Sequence, residues 1–212
     1  MYCPTLFAQN QRESMLNLIR QYPLATVITH SADGQLTADH IPLMYDDAPG
    51  CLGRLLGHVA RNNPVWQASP EQELLVVFQG SNSYISPNWY ATKAENHKVV
   101  PTWNYAVVHA RCTLRAIHDP EHIRQIVATL TTQQEATQPQ PWKVEDAPRE
   151  FTERLVASIV GIELTVRHLQ GKWKVSQNQP PQNQASVVRG LLDHGSDAAT
   201  GMAQLVETCA KQ

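Results

Sequence analysis

The stretch KVVPTWNYAVVHA, Lys98 to Ala110, is the most informative part of the sequence for the fold. Its valines and aromatic residues are typical of a β-strand, yet it also carries Pro101, Trp103, Asn104 and His109. Strands tolerate proline and buried polar groups at an edge, at a bulge, or where another molecule approaches the backbone. The stretch therefore predicts a strand at an edge or a bulge, where another molecule can approach.

The rest of the chain contains several more strand-like runs. LATVITH and LTADHIPLMY flank Asp33-Gly34, a dipeptide that favours a β-hairpin. A further strand is predicted at LGRLLGHV. The remaining predicted strands are ELLVVFQ, SYIS, the opening stretch and ARCTLRAI, followed by IVGIELTVRHL and KWKVSQ as a closing hairpin around Gly171.

Helices are fewer and do not alternate regularly with the strands. Apolar spacing predicts one over 12–21, and another is predicted near 149–157. Asn63-Pro64 and Asp119-Pro120 each place a capping side chain directly before a proline, which is typical of a helix start. This pattern predicts a mainly β fold, an antiparallel barrel with peripheral helices.

Composition restricts the function classes. The 212 residues, 42% of them hydrophobic, are enough for a sizeable core, and the net charge of −2 argues against a protein-wide nucleic-acid surface. No apolar run is long enough for a membrane span or a signal peptide, so a cytoplasmic location is expected. The four cysteines form no CxxC pair, which disfavours a zinc ribbon or a dithiol redox motif.

The C-terminal end differs in composition from the rest. SQNQPPQNQ, Ser176 to Gln184, is typical of a linker, and apolar spacing from Val187 to Leu192 predicts a helix beyond it. We therefore expect one domain over 1–178, followed by a linker and a helical tail over 179–212 that packs on the barrel.

Four strings resemble one family over nearly the whole chain: TADHIPL, GHVARNNPVW, SYISPNWY…KVVPTWNYAVVH and VGIELTV…GKWKVSQN. They resemble the PaiB-type FMN-binding negative transcriptional regulators, of the flavin-binding split-barrel superfamily. The resemblance implies a split β-barrel like that of flavin reductases and pyridoxamine-phosphate oxidases. It also implies a homodimer with FMN in a groove between subunits, and a regulatory role exercised through DNA or a regulatory protein.

FMN needs a planar apolar slot, hydrogen bonds to its ring edge and a cationic or amide-lined phosphate pocket. Arg61, at the turn into a helix, is the candidate for the phosphate, with free N–H groups expected around Asn62 and Asn63. The competing interpretation is a surface arginine beside an ordinary helix cap. By analogy with flavin split barrels, the backbone of Asp39, His40 and Ile41, together with His58, is a candidate for the ring edge.

A second set of candidates lies later in the chain. Thr102, Trp103 and Asn104 are expected to line the groove, and Trp89, in the loop before Lys98, to fold over the flavin or cap the barrel. The resemblance also implies that a C-terminal tryptophan and basic residues approach the ligand. The complete second set is Trp89, Lys98, Thr102, Trp103, Asn104, Lys172, Trp173, Lys174 and Gln177. Core packing is the competing role for the tryptophans.

Several alternatives stay open at the level of sequence. His40, His58 and His109 would make a zinc site only if three strands aligned, and no short ligand spacing supports one, so no metal is expected. The main hypothesis is an FMN-binding regulator or flavin-linked sensor. An FMN-dependent oxidoreductase and a flavin-free DNA-binding repressor are the alternatives, and no catalytic residue is assigned.

Overall fold

The computed structural model describes residues 1–31, 33–48 and 51–211. The strands are β1 (Ala8–Gln9), β2 (Leu24–His30), β3 (Leu36–Pro42), β4 (Met44–Asp46), β5 (Arg54–Ala60), β6 (Glu73–Ile85), β7 (Thr102–Ile117) and β8 (Ile159–Lys174). The α-helices are α1 (Arg12–Gln21), α2 (Lys93–Asn96), α3 (Pro120–Glu135), α4 (Arg149–Ala157), α5 (Pro181–His194) and α6 (Asp197–Ala210). Short 3-10 helices occupy Thr5–Phe7, Pro64–Gln67, Pro87–Trp89 and Val144–Asp146.

The strands form one sheet in the order β3-β2-β6-β7-β8-β5-β4, and β1 pairs with β8. The pairs β1–β8, β2–β3, β2–β6, β4–β5 and β5–β8 are all antiparallel. The prediction of a mainly β, antiparallel fold with peripheral helices is thereby confirmed. None of the helices in the described ranges combines the length and hydrophobicity needed to cross a membrane.

The chain divides into two compact units. Unit 1 consists of residues 1–18, 79–108 and 170–212, and unit 2 of residues 19–78 and 109–169. The core of unit 2 includes a cluster in which α3 packs on strand residues such as Leu56 and Ile117. In unit 1, α5 packs on α6, and buried side chains include Val187, Leu191 and Met202.

Three predictions about strand ends are wrong in the same way. Strand β6 contains both ELLVVFQ and SYIS. Strand β7 begins after Pro101 and contains the rest of the opening stretch together with ARCTLRAI. Strand β8 runs through Gly171 instead of turning there. A Cβ on Gly171 would lie 2.9 Å from Gln9 Cβ, and a Cβ on Gly80 would lie 2.9 Å from Leu18 Cδ1. These glycines permit close packing within a strand, so they do not mark turns.

The predicted linker is also shorter than expected. Helix α5 begins at Pro181, inside the glutamine-rich stretch, with proline in its first turn. The Asn183 amide group donates to Thr92 Oγ1 and to Gln179 Oε1, both at 3.0 Å, and its Oδ1 accepts from the Thr92 N–H at 3.0 Å. The neutral amides therefore hold the start of the tail in place.

Candidate functional site

The first group of predicted residues lies on β3, at one edge of the sheet. Asp39, His40 and Ile41 pair with Val27, Thr26 and Ala25 of β2. Along an antiparallel edge strand, alternate backbone N–H and C=O groups point away from the paired neighbour. The backbone of 39–41 therefore presents hydrogen-bonding groups to a ligand, whereas the Ile41 side chain is buried in the core.

His58, on β5, carries the orphan polar atom of the site. Its Nδ1 is buried and has no hydrogen-bond partner within the described part of the chain. Burial lowers the pKa of the imidazole because it disfavours the charged form. The preceding Gly57 brings β5 close to the end of β3, since a Cβ there would lie 2.7 Å from the Pro42 carbonyl oxygen. This nitrogen is therefore available for a hydrogen bond to a ligand.

The turn after β5 carries the predicted phosphate ligands. Arg61 is exposed, but its Nε donates to the Ala157 carbonyl at 2.9 Å and its Nη2 to the Ile159 carbonyl at 3.0 Å. A guanidinium has five N–H donors, so donors remain for a phosphate. Arg61 is thus positioned by the end of α4 and the start of β8.

The N–H groups expected to be free at this turn are largely engaged. The Asn63 N–H donates to the Ala60 carbonyl, and Asn63 Oδ1 accepts from the Val65 N–H at 2.9 Å, which confirms the predicted cap. Asn63 Nδ2 also donates to Asp39 Oδ1 at 2.7 Å, linking the turn to β3. The helix that follows is a single 3-10 turn, so its N-terminus offers no anion site of its own. Asn62 is exposed.

An open cleft of about 940 Å³ lies beside this turn, and the sequence interpretation did not anticipate it. Its walls include Thr29 and Thr37 of the β2–β3 hairpin, together with Asp39, Pro64 and Val65. Ligand pockets typically have volumes of about 300–1,000 Å³. The cleft had no local signal in the sequence, because its walls come from residues 29–39 and 64–72, which lie apart in the chain.

The second group of predicted residues lies in unit 1. Lys174 Nζ donates to Thr102 Oγ1 and, at 2.6 Å, to the Trp103 carbonyl. Lys172 is buried, and its Nζ lies 5.2 Å from the ring centre of Tyr105. Trp103 is 55% exposed. Its ring packs edge-to-face with that of Tyr84, and the two ring centres are 6.3 Å apart. The structure thus brings together a cationic and aromatic group here.

The other predicted members of this group, Lys98 excepted, have structural roles. Trp89 packs on α5, where a Cβ added to Gly190 would lie 2.4 Å from its Cγ, and Trp173 is buried. Gln177 Nε2 donates to the Trp173 carbonyl and its Oε1 accepts from the Val175 N–H at 2.7 Å. Asn104 is buried and bonded to Ser176, whereas Lys98 is exposed.

Comparison with known proteins defines the class. A family model described as "Putative FMN-binding domain" matches residues 1–168, and the chain belongs to this family. The chain is 29% identical to Protease synthase and sporulation protein PAI 2 of Bacillus subtilis, covering 100% of this chain and 99% of that protein. It is 32% identical to an uncharacterized protein of Emericella nidulans, and the match covers 97% of this chain and 96% of that protein.

Among solved structures, the FAD and heme binding protein from Mycobacterium smegmatis has a similar fold, with a TM-score of 0.56 at 17% identity. The match covers 78% of this chain and 72% of that one. The predicted resemblance and the split-barrel fold are thereby confirmed. FMN, the cofactor predicted from the sequence, is the one that defines the family.

The residues present fit this cofactor. The orphan His58 Nδ1 and the open backbone edge of β3 supply hydrogen-bonding groups of the kind that a flavin ring edge needs. Arg61 supplies the positive charge that a phosphate needs.

Proposed function

We propose that the protein is an FMN-binding regulator or flavin-linked sensor that acts as a homodimer in the cytoplasm. The observation that carries this proposal is the match to PAI 2 of Bacillus subtilis along the full length of both chains. That relative is named for protease synthesis and sporulation, which supports a regulatory role rather than a purely metabolic one.

Two sets of side chains, described unit by unit, are the candidates for binding the cofactor. In unit 2, the backbone of 39–41 and His58 would meet the ring edge, and Arg61, with Asn62 and Asn63 beside it, would meet the phosphate. In unit 1, Trp89, Lys98, Thr102, Trp103, Asn104, Lys172, Trp173, Lys174 and Gln177 would line or support the binding groove. FMN supplies redox chemistry when bound, and the protein supplies binding and orientation.

The neutral state of His58 matters to this role. Because burial lowers the pKa of its imidazole, the ring stays uncharged at neutral pH and keeps one N–H donor and one acceptor nitrogen. A neutral, fixed imidazole at the cofactor would orient the ring without adding charge. This is binding chemistry, and it requires no catalytic acid or base.

The homodimer is proposed from an exposed aromatic surface in unit 1. Trp103 is 55% exposed and Tyr84 is 46% exposed, and the two rings contact each other. Large exposed aromatic groups on a strand typically belong to an interface, since soluble monomers rarely expose contiguous apolar patches. A second copy of the chain would cover this surface.

The experiment that tests the proposal is a visible absorption spectrum of the purified protein before and after adding FMN. We expect a bound-flavin spectrum that saturates at one FMN per chain. Absence of binding would overturn the proposal. Anaerobic mixing with NAD(P)H then separates sensor from oxidoreductase, because rapid bleaching of the flavin would identify an enzyme.

The mode of regulation is tested separately. Operator DNA from the regulated gene, titrated at several salt concentrations, shows whether the protein contacts DNA itself, because phosphate contacts make affinity fall steeply with salt. Salt-dependent binding by flavin-free protein would favour a flavin-free DNA-binding repressor. Lack of binding would direct the search to a regulatory protein partner.

A further inference from the structure

Lys172 is a buried ammonium group surrounded by neutral partners. The residue is 8% exposed, and its Nζ donates to the Tyr2 carbonyl at 3.1 Å. The same atom lies 5.7 Å from the ring centre of Tyr2 and 5.2 Å from that of Tyr105. Carbonyl and ring faces stabilise a cation, but they do not neutralise it.

Lys174 is the second charge of the pair. It follows Lys172 by two residues on β8, so both side chains leave the same face of the strand. Its Nζ uses two donors, on Thr102 Oγ1 and the Trp103 carbonyl, and an ammonium has three. Burial and, secondly, the charge of Lys172 lower the pKa of Lys174.

No carboxylate within the described ranges forms an ion pair with either lysine. In unit 2, by contrast, a buried charge is paired with charges of opposite sign. There the buried Glu163 carboxylate meets both Arg54 Nη1 and Arg115 Nη2 at 3.1 Å. Two neighbouring cations without an anion are costly, because burial removes the water that would otherwise stabilise them.

We propose that Lys172 and Lys174 form a binding site for an oxyanion, a phosphate or carboxylate group. An oxyanion would accept the remaining Lys174 donor and offset both charges. Lys174 is partly exposed, so an anion can reach the pair from that side. This site goes beyond the proposed function, since it predicts anion binding with or without flavin, and the anion is either the phosphate of FMN or a separate molecule.

The first experiment measures the acylation rate of each lysine by mass spectrometry, with and without inorganic phosphate. We expect saturating phosphate to slow the acylation of Lys174 by about tenfold. A bound anion occupies the free donor of Lys174 and stabilises its charged, unreactive form. The exposed Lys143, in unit 2, is the matched control and should be unaffected beyond the general effect of salt. An equal effect of phosphate on Lys174 and on the control lysine would overturn the proposal.

The second experiment identifies the source of the anion. FMN that protects Lys174 while riboflavin does not would place the flavin phosphate at the pair. Flavin binding measured by absorption, without protection of Lys174 but with phosphate protection retained, would identify a separate oxyanion. Flavin binding with no protection by either ligand would overturn this inference and leave the proposed function standing.

Variants give a readout that does not depend on labelling. Lys174→Met should bind phosphate at least about tenfold more weakly by calorimetry, and Lys174→Arg should retain most of the affinity because it keeps the charge. Unchanged thermal unfolding would show that the Met variant folds. Unchanged phosphate affinity in folded Lys174→Met would overturn the proposal.

Discussion

Asn104 Nδ2 donates a 2.8 Å hydrogen bond to Ser176 Oγ, and both residues are almost fully buried. The bond joins β7 to the turn that follows β8. Ser176 has a φ of 64°, in the left-handed region, which few residues other than glycine adopt without cost. The buried bond therefore helps to hold a strained turn between the sheet and α5.

Replacing Ser176 by Ala should destabilise the protein by about 1–3 kcal/mol, because the Asn104 amide would be left buried without its acceptor. Urea unfolding measures the change in free energy. Asn178→Ala, at an exposed position of the same turn, is the matched control. A loss no larger than that of the control would show that the bond contributes nothing.

Arg61→Ala should weaken FMN binding by about one to two decades, through loss of charge-assisted hydrogen bonds, and should change riboflavin binding much less. Titration of both flavins measures this. Arg154→Ala, an exposed arginine on α4, is the control. Because Arg61 also bonds the Ala157 and Ile159 carbonyls, equal losses for both flavins would mean that it acts by positioning the backbone.

His58→Gln should reduce the loss of stability at acid pH. Burial lowers the pKa of His58 in the folded protein, so between its ordinary value of about 6.5 and the lower folded value the unfolded state binds more protons. Stability from this group is therefore present above about pH 6.5 and is lost as the pH falls below it.

Urea unfolding across this range tests the effect, with the exposed His168→Gln as control. Part of the pH dependence should remain, because burial also lowers the pKa of His109. Parallel curves for wild type and His58→Gln would contradict the assignment.

Gly190→Ala should destabilise the protein although alanine favours helices over glycine by about 1 kcal/mol. The new Cβ would lie 2.4 Å from Trp89 Cγ, and overpacking typically costs about 1–3 kcal/mol. Thermal unfolding measures the net result. Asp193→Ala, exposed on the same helix, is the control, and a stabilised Gly190→Ala would show that Trp89 does not need the close approach.

Trp103→Glu should convert a dimer to a monomer, because a carboxylate would be desolvated where the exposed Tyr84–Trp103 pair meets a second copy. Light scattering at micromolar concentration measures the mass. Phe151→Glu, at a similarly exposed aromatic position on α4, should leave the dimer intact. A monomeric wild type would remove the intersubunit groove.

Local chemistry was predictable from the sequence. Asn63 and Asp119 each accept the predicted capping hydrogen bond, from the N–H groups of Val65 and His122. A cap depends only on side chains within a few residues, so its pattern is complete in the sequence. Helix α1 has the predicted bounds because the apolar spacing that predicts it also lies within a short segment.

Long-range packing was not predictable. Gly171 looks like a turn residue in sequence, but the reason for it is the approach of Gln9 and Met15. Similarly, the neutral environment of Lys172 depends on Tyr2, at the other end of the chain. A short string carries no signal for a partner so distant in sequence, so the candidate residues were recognisable while their contacts were not.

The interleaving of the two units has a consequence for how the protein is made. Unit 2 ends at residue 169, whereas unit 1 needs residues 170–212 in addition to the first 18. During synthesis, domains generally fold from the N-terminus as they emerge from the ribosome. Here residues 8–9 must wait for residues 171–172, since Gln9 pairs with Gly171. Strand β1 therefore has no native partner until β8 has been synthesised.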